Sequence, residues 1–150
     1  MSPASAEYRA SAVDECPPAD PTIPGELHIT AALKSAFTAS LVTHNINLVF
    51  SSGSWESLTP HLAAAATKSN IVLTSETIYR TDALPALIAL LRHACAQEAQ
   101  CLVAAKVLYF GVGGSVAEFV KALGSFEGRA ECVWERKLGV GRKIMRIEWA

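Results

Sequence analysis

Asn70-Ile71-Val72-Leu73-Thr74-Ser75-Glu76-Thr77-Ile78-Tyr79 is the segment around which the chain is organised. An apolar run, Ile71 to Leu73, gives way to a polar cluster, Thr74 to Thr77, and then to Ile78 and Tyr79. A short β-branched run ending in hydroxyls and a carboxylate has the pattern of a buried parallel strand that delivers its C-terminal end to a site. In open α/β sheets ligands bind outside the carboxyl ends of the strands, which singles out Glu76 and Tyr79. The same residues also suit a plain buried strand followed by a turn whose Ser and Thr satisfy backbone groups.

Downstream of this strand, Asp82 to Ala96 reads as a helix with Asp82 as cap and Leu84, Leu87, Ile88 and Leu91 as its inner stripe. His93 lies off that stripe and reads as an exposed side chain. Cys101 to Leu108 is the next strand, and it leads into Tyr109-Phe110-Gly111-Val112-Gly113-Gly114. Ser115 caps a further helix with Val116, Phe119, Val120 and Leu123 inward. Ala130 to Glu135 and Arg142 to Trp149 alternate around Gly139-Val140-Gly141, the pattern of an antiparallel hairpin.

Upstream, Thr59-Pro60 suits a helix start, with the hydroxyl as cap and proline at the first helical position. Ser51 to Trp55 reads as a loop and Asn47 to Phe50 as a short strand. Thr30 caps a helix over Ala31 to Thr43 that ends at Asn45. Residues 1–25, rich in Ala, Ser and Pro, read as a flexible tail, which leaves residues 26–150 as the structured part. Strands alternating with helices predict an α/β fold: a mostly parallel sheet, helices on both faces and a C-terminal antiparallel hairpin.

A chain of 150 residues suits one domain with one sizeable core. Hydrophobic residues make up 51% and charged residues 18%, which excludes a disordered class. The net charge is −1, and no basic run is long enough to follow a phosphate backbone, so direct nucleic-acid binding is not expected. Arg136-Lys137 and Arg142-Lys143 flank a Gly-containing turn and read as a solvated hairpin tip. Cys16, Cys95, Cys101 and Cys132 lack CxxC spacing and His partners, which argues against a metal site and against a disulfide framework. Reduced cysteines of an intracellular protein fit that pattern. Neither a signal peptide nor a membrane-spanning run is expected.

Ser52-Gly53-Ser54-Trp55, Leu73 to Tyr79, and Ala105-Lys106-Val107-Leu108-Tyr109-Phe110-Gly111-Val112-Gly113-Gly114 fall in this order at sensible intervals. Together they resemble the C-terminal half of the eukaryotic protein-histidine methyltransferases, S-adenosylmethionine-dependent enzymes of the seven-β-strand class. Gly25-Glu26-Leu27-His28-Ile29-Thr30 resembles the fungal members, so the likeness runs from about Gly25 to Ala150. It implies a partial Rossmann-like methyltransferase sheet with S-adenosylmethionine as cofactor. It also implies a protein substrate, a histidine of a large-subunit ribosomal protein, in cytoplasm and nucleus.

By the same resemblance Ser52, Gly53, Trp55 and Ser75 contact the cofactor, with Trp55 flanking the adenine. Glu76 and Tyr79 match an acidic-x-x-Tyr motif beside the transferred methyl, Glu76 as the orienting acceptor and Tyr79 as a channel wall. Thr77, Tyr109, Phe110, Gly111, Gly113 and Gly114 fall on the side of the target peptide. Each has an ordinary alternative: a core aromatic for Trp55, packing under the last helix for Tyr109 and Phe110, and a turn needing positive φ for the glycines. Lys106 reads as a solvated strand-end charge.

Methyl transfer to an imidazole needs little base, because the free histidine side chain has a pKa of about 6.5 and is mostly uncharged at neutral pH. Orientation supplies the catalysis, on the order of 7–11 kcal/mol. An acceptor for one ring N–H selects which nitrogen attacks.

The chain departs from the family pattern in one respect. No glycine-rich strand-to-helix turn precedes Gly111, and Gly111, Gly113 and Gly114 do not make GxGxxG spacing. The first expected strand resembles the family's third. The strand at Ile71 to Thr74 therefore loses its usual neighbour: either the Asn47–Phe50 strand moves in beside it, or its edge stays open for pairing with another chain. Three readings follow: an incomplete methyltransferase, a catalytically inactive truncated remnant, and a small α/β binding module.

Overall fold

The computed structural model describes residues 28–65 and 68–150. The expected tail over residues 1–25 and Cys16 lie outside the described residues. The chain divides into two units, one ending at Phe50 and one running Ser51–Ala150.

In the first unit, helix α1 spans Ala31–Thr43, and the Thr30 side chain accepts the Leu33 N–H at 3.1 Å. That bond satisfies one of the free amides of the first turn. Asn45, at φ 51°, turns the chain out of the helix, a conformation that Asn tolerates better than most residues. The strand expected over Asn47 to Phe50 does not form, and all of its residues are exposed. Apolar side chains such as Leu48, Val49 and Phe50 make a strand only where a neighbour takes the backbone N–H and C=O groups.

In the second unit, helix α2 spans Trp55–Ala64, so it begins at Trp55 and not at Thr59-Pro60. Ser54 is its cap, accepting the Ser57 N–H at 3.2 Å, and Glu56 sits in the first turn, where the helix dipole favours a negative charge. Pro60 lies inside the helix and has no N–H for the carbonyl one turn back.

Strand β1 (Ser69–Ser75), helix α3 (Leu84–Ala94), strand β2 (Cys95–Lys106), helix α4 (Val116–Gly124) and strands β3 (Gly128–Arg136) and β4 (Arg142–Trp149) follow. Helix α3 starts at Leu84 without a side-chain cap. Asp82, expected to cap it, instead pairs its carboxylate with Arg80.

The sheet order is β1-β2-β4-β3. β1 and β2 are parallel, whereas β2–β4 and β3–β4 are antiparallel. The α/β class and the C-terminal hairpin are as expected. The sheet itself is mixed rather than mostly parallel, because β4 runs antiparallel between β2 and β3, and α3 and α4 pack on the same face of it rather than on both. Among the described residues β1 has β2 on one side only, the open-edge outcome of the two alternatives.

Side chains alternate across a strand, and register decides which meet. Cys101, Val103 and Ala105 of β2 and Met145 and Ile147 of β4 share one face. Leu84, Leu87, Ile88 and Leu91 of α3 and Phe119 and Leu123 of α4 pack with them into one core. Each such aliphatic or aromatic side chain contributes roughly 1.5–3 kcal/mol on full burial. On the opposite face Ile71 and Leu73 of β1 stay 62% and 69% exposed. Ile78, fully buried in the core, pins the loop between β1 and α3. That anchor fixes the residues on either side of it.

Candidate functional site

Strand β1 runs out at Ser75, and the next residue bends the chain. Glu76 has φ 57°, the left-handed region that side chains other than glycine seldom adopt. Its N–H still donates to the Ala104 carbonyl at 2.9 Å, one rung past the strand. The bend swings the carboxylate across the carboxyl end of the parallel pair.

Two cations meet it there. Lys106 closes β2 and Arg142 opens β4, and the antiparallel register sets the two directly opposite. Like charges so placed repel. The Glu76 carboxylate bridges them: Arg142 Nη1 donates to Oε1 at 2.9 Å, and Lys106 Nζ stands 3.6 Å from Oε2. Sequence reasoning missed both cations, having read Lys106 as a solvated strand end and Arg142 as part of a solvated tip. Only the β2–β4 register reveals them, and no local pattern encodes it.

Tyr109 completes the group. Its hydroxyl oxygen accepts the Lys106 backbone N–H at 3.3 Å, and the Lys106 ammonium stands 5.7 Å from its ring centroid, within cation–π range. Burial pushes the Tyr109 phenol above its ordinary value. The bond from the Lys106 backbone pulls the other way, the Glu76 carboxylate adds to the rise by charge and by hydrogen bonding, and the Arg142 charge opposes it. The half-exposed Tyr79 ring lies 6.3 Å from that of Tyr109, tilted by 58°.

The glycine loop lies against the same corner. Tyr109 N–H donates to the Gly114 carbonyl at 2.9 Å, and Gly113 bridges to Arg80. Gly111 and Gly113 have φ of 81° and 82°, the turn conformation that glycine adopts freely. Gly114 serves another purpose: a Cβ there would stand 2.4 Å from the Ile78 carbonyl oxygen and the Tyr79 backbone. Thr77 Oγ1 is 2.7 Å from Thr74 Oγ1, which ties the loop back to β1. Phe110 is 80% exposed, so it does not pack under helix α4, whereas Tyr109 is buried. A groove of about 410 Å³ runs between Val107, Leu108 and Phe110 and the hairpin tip.

The structure thus brings together Glu76, Tyr79, Tyr109, Gly113 and Gly114. The four residues expected at the donor lie differently. Ser52 and Gly53 are on an exposed loop, Ser75 is exposed at the strand end, and the half-buried Trp55 packs against the core cluster. Among the described residues, no hydrogen bond or ring contact joins Ser52, Gly53 or Trp55 to the Glu76 cluster. By themselves they do not form a cradle that would hold a nucleoside and an amino-acid tail. Among the described residues no helix is long and apolar enough to cross a membrane.

A family model described as lysine methyltransferase matches residues 28–112. Histidine protein methyltransferase 1 of Saccharomyces cerevisiae is 37% identical over 100 residues, covering 63% of this chain and 26% of that protein. A histidine protein methyltransferase 1 homolog of Rattus norvegicus is 42% identical over 65 residues, 41% of this chain and 18% of that protein. The chain therefore spans about a quarter or less of the length of these curated relatives. Among solved structures, the mitomycin 7-O-methyltransferase MmcR superposes with a TM-score of 0.51 at 16% identity, over 79% of this chain and 38% of that one. That likeness is one of fold.

Proposed function

The chain belongs to the lysine methyltransferase family, and from that premise we propose that it carries the acceptor side of an S-adenosylmethionine-dependent protein-histidine methyltransferase. The names of the yeast and rat relatives favour histidine over lysine as the target. The observation that carries the chemistry is the Glu76 carboxylate, held at the carboxyl end of β1 by Arg142 and Lys106 and about one-third exposed, at 34%.

A carboxylate has about four acceptor positions, so the two cations leave capacity for one more N–H. A neutral imidazole needs no more than that: its N–H is accepted by Glu76, and the lone pair of the other ring nitrogen is left free to attack. A lysine target, with an ordinary pKa of about 10.4, would first have to lose a proton. A carboxylate already engaged by two cations suits the first task better than the second. Tyr79 and Tyr109 wall the ring in this reading, and Thr77, Phe110, Gly111, Gly113 and Gly114 border the target polypeptide.

The donor supplies the methyl group. Ser52, Gly53, Trp55 and Ser75 make no closed site for it, and no Gly-rich turn precedes Gly111 in these 150 residues. The chain's own contribution is accordingly orientation of the acceptor. A large-subunit ribosomal protein as target, action in cytoplasm and nucleus, and pairing through the open edge of β1 belong to the same proposal. That open edge and the ungathered donor residues favour a second reading, an inactive remnant without donor affinity.

Calorimetric titration with S-adenosylmethionine, followed by mass spectrometry of a methylated target, separates them. Micromolar binding with methylhistidine as product supports the enzyme. Absence of binding favours the remnant, and methyllysine as the product would overturn the histidine assignment.

A further inference from the structure

Arg142 comes from the C-terminal hairpin, 66 residues along the chain from Glu76. Its guanidinium makes the shorter of the two contacts to the carboxylate, 2.9 Å against 3.6 Å for Lys106. The Lys106 ammonium is shared with the Tyr109 ring. The Glu76 side chain is partly in solvent and follows a left-handed backbone turn, so without a directional partner it has several rotamers open to it. A charge-assisted hydrogen bond from a guanidinium supplies direction as well as attraction, which a single ammonium does less well.

We propose that Arg142 is a positioning residue, fixing the Glu76 carboxylate across the carboxyl end of the parallel pair and making the C-terminal hairpin part of the site. Its consequence for methyl transfer rests on the function proposed above; the positioning itself does not. A carboxylate already held in place loses little freedom when a target N–H arrives.

The test is a double-mutant cycle read at Tyr109 in the full chain. Tyrosinate absorbance is followed against pH, with Tyr109→Phe subtracted to isolate the one phenol. Glu76→Gln is expected to shift the Tyr109 midpoint downward in the parent chain, since the carboxylate contributes to its rise. In an Arg142→Met background the same substitution should shift it much less, because the carboxylate has already swung away. Arg142→Lys should restore part of the effect. Comparing the Gln effect within each background cancels the direct influence of the Arg142 charge on the phenol.

An undiminished Glu76→Gln shift in the folded Arg142→Met chain overturns the proposal. Should the Met variant unfold, Arg142→Gln serves in its place. The Tyr109 Cζ chemical shift at neutral pH runs the same cycle if alkali unfolds the chain first. Neither readout needs donor or target, so failure of the methyltransferase reading in the calorimetric experiment leaves this result standing, and the reverse.

Discussion

A methyl group at Gly114 would have to displace backbone, for the nearest atoms are the Ile78 carbonyl and the carbonyl of Tyr79. Gly114→Ala should therefore destabilise the fold by about 1–3 kcal/mol, the range for overpacking, and loosen the loop that carries Tyr79. Gly124→Ala is the control, since a Cβ there meets nothing within 4 Å; urea denaturation should show a change of no more than roughly 0.5 kcal/mol. The run of glycines was legible in the sequence, but the division of labour within it was not. Two of them answer to local φ, whereas the third answers to where Ile78 lies, and that is a tertiary fact. Arg142 eluded the sequence for the same reason. Cys101 gives a pH test. Burial, with Cys95 beside it, pushes its thiol from 9.0 up to about 12. The folded state thus holds this proton more tightly than the unfolded chain does. Stability should be undiminished below pH 9.0 and fall as pH rises through about 12, with Tyr109 acting in the same direction from 10.0 upward. Cys101→Val should flatten that slope in denaturation curves taken across the range. A thiol reagent offered to the folded chain in a Cys16→Ser background should label the exposed Cys132 and spare the buried Cys101.

Helices α3 and α4 were legible because their signals are local, although Val120, expected inward on α4, is 42% exposed. Leu84, Leu87, Ile88 and Leu91 recur at helical spacing and are buried as that spacing requires, and Ser115 caps α4 by accepting the Glu118 N–H at 3.0 Å. Ser115→Ala should cost about 1 kcal/mol in thermal or urea unfolding, as loss of a cap does. Helix α2 was misplaced because two start signals compete within six residues, and Thr59-Pro60 is the more conspicuous. Ser54 prevails by satisfying an amide of the first turn, and Trp55 then lands against the core. Pro60 is left in the helix interior, where proline costs on the order of 3 kcal/mol relative to alanine. Pro60→Ala should raise the stability of the second unit by up to about that amount, read as a higher denaturation midpoint at unchanged slope. Asn47 to Phe50 failed as a strand for the opposite reason to the success of α3: a strand is completed by a neighbour, which its own residues do not specify.

At the scale of the molecule, the β1-β2-β4-β3 sheet ends on a strand whose outer backbone groups have no partner in the sheet. Its free face presents Ile71 and Leu73 beside the half-buried Leu102 and Ile144. Backbone pairing is indifferent to sequence, and an apolar face beside an open edge adds area that water disfavours, so the two together template association. The open edge was one of two outcomes expected for β1, whereas the exposure of Leu73 depends on which way the β1 register faces. Sedimentation velocity over a concentration series should show reversible self-association of the parent chain. Leu73→Lys should shift it toward monomer while changing folding stability by no more than roughly 0.5 kcal/mol, because the side chain is already 69% exposed. A parent chain that stays monomeric at every concentration would show that this edge does not template pairing. Unfolding of the chain by Leu73→Lys would equally count against it, since the face would then be needed by the fold itself.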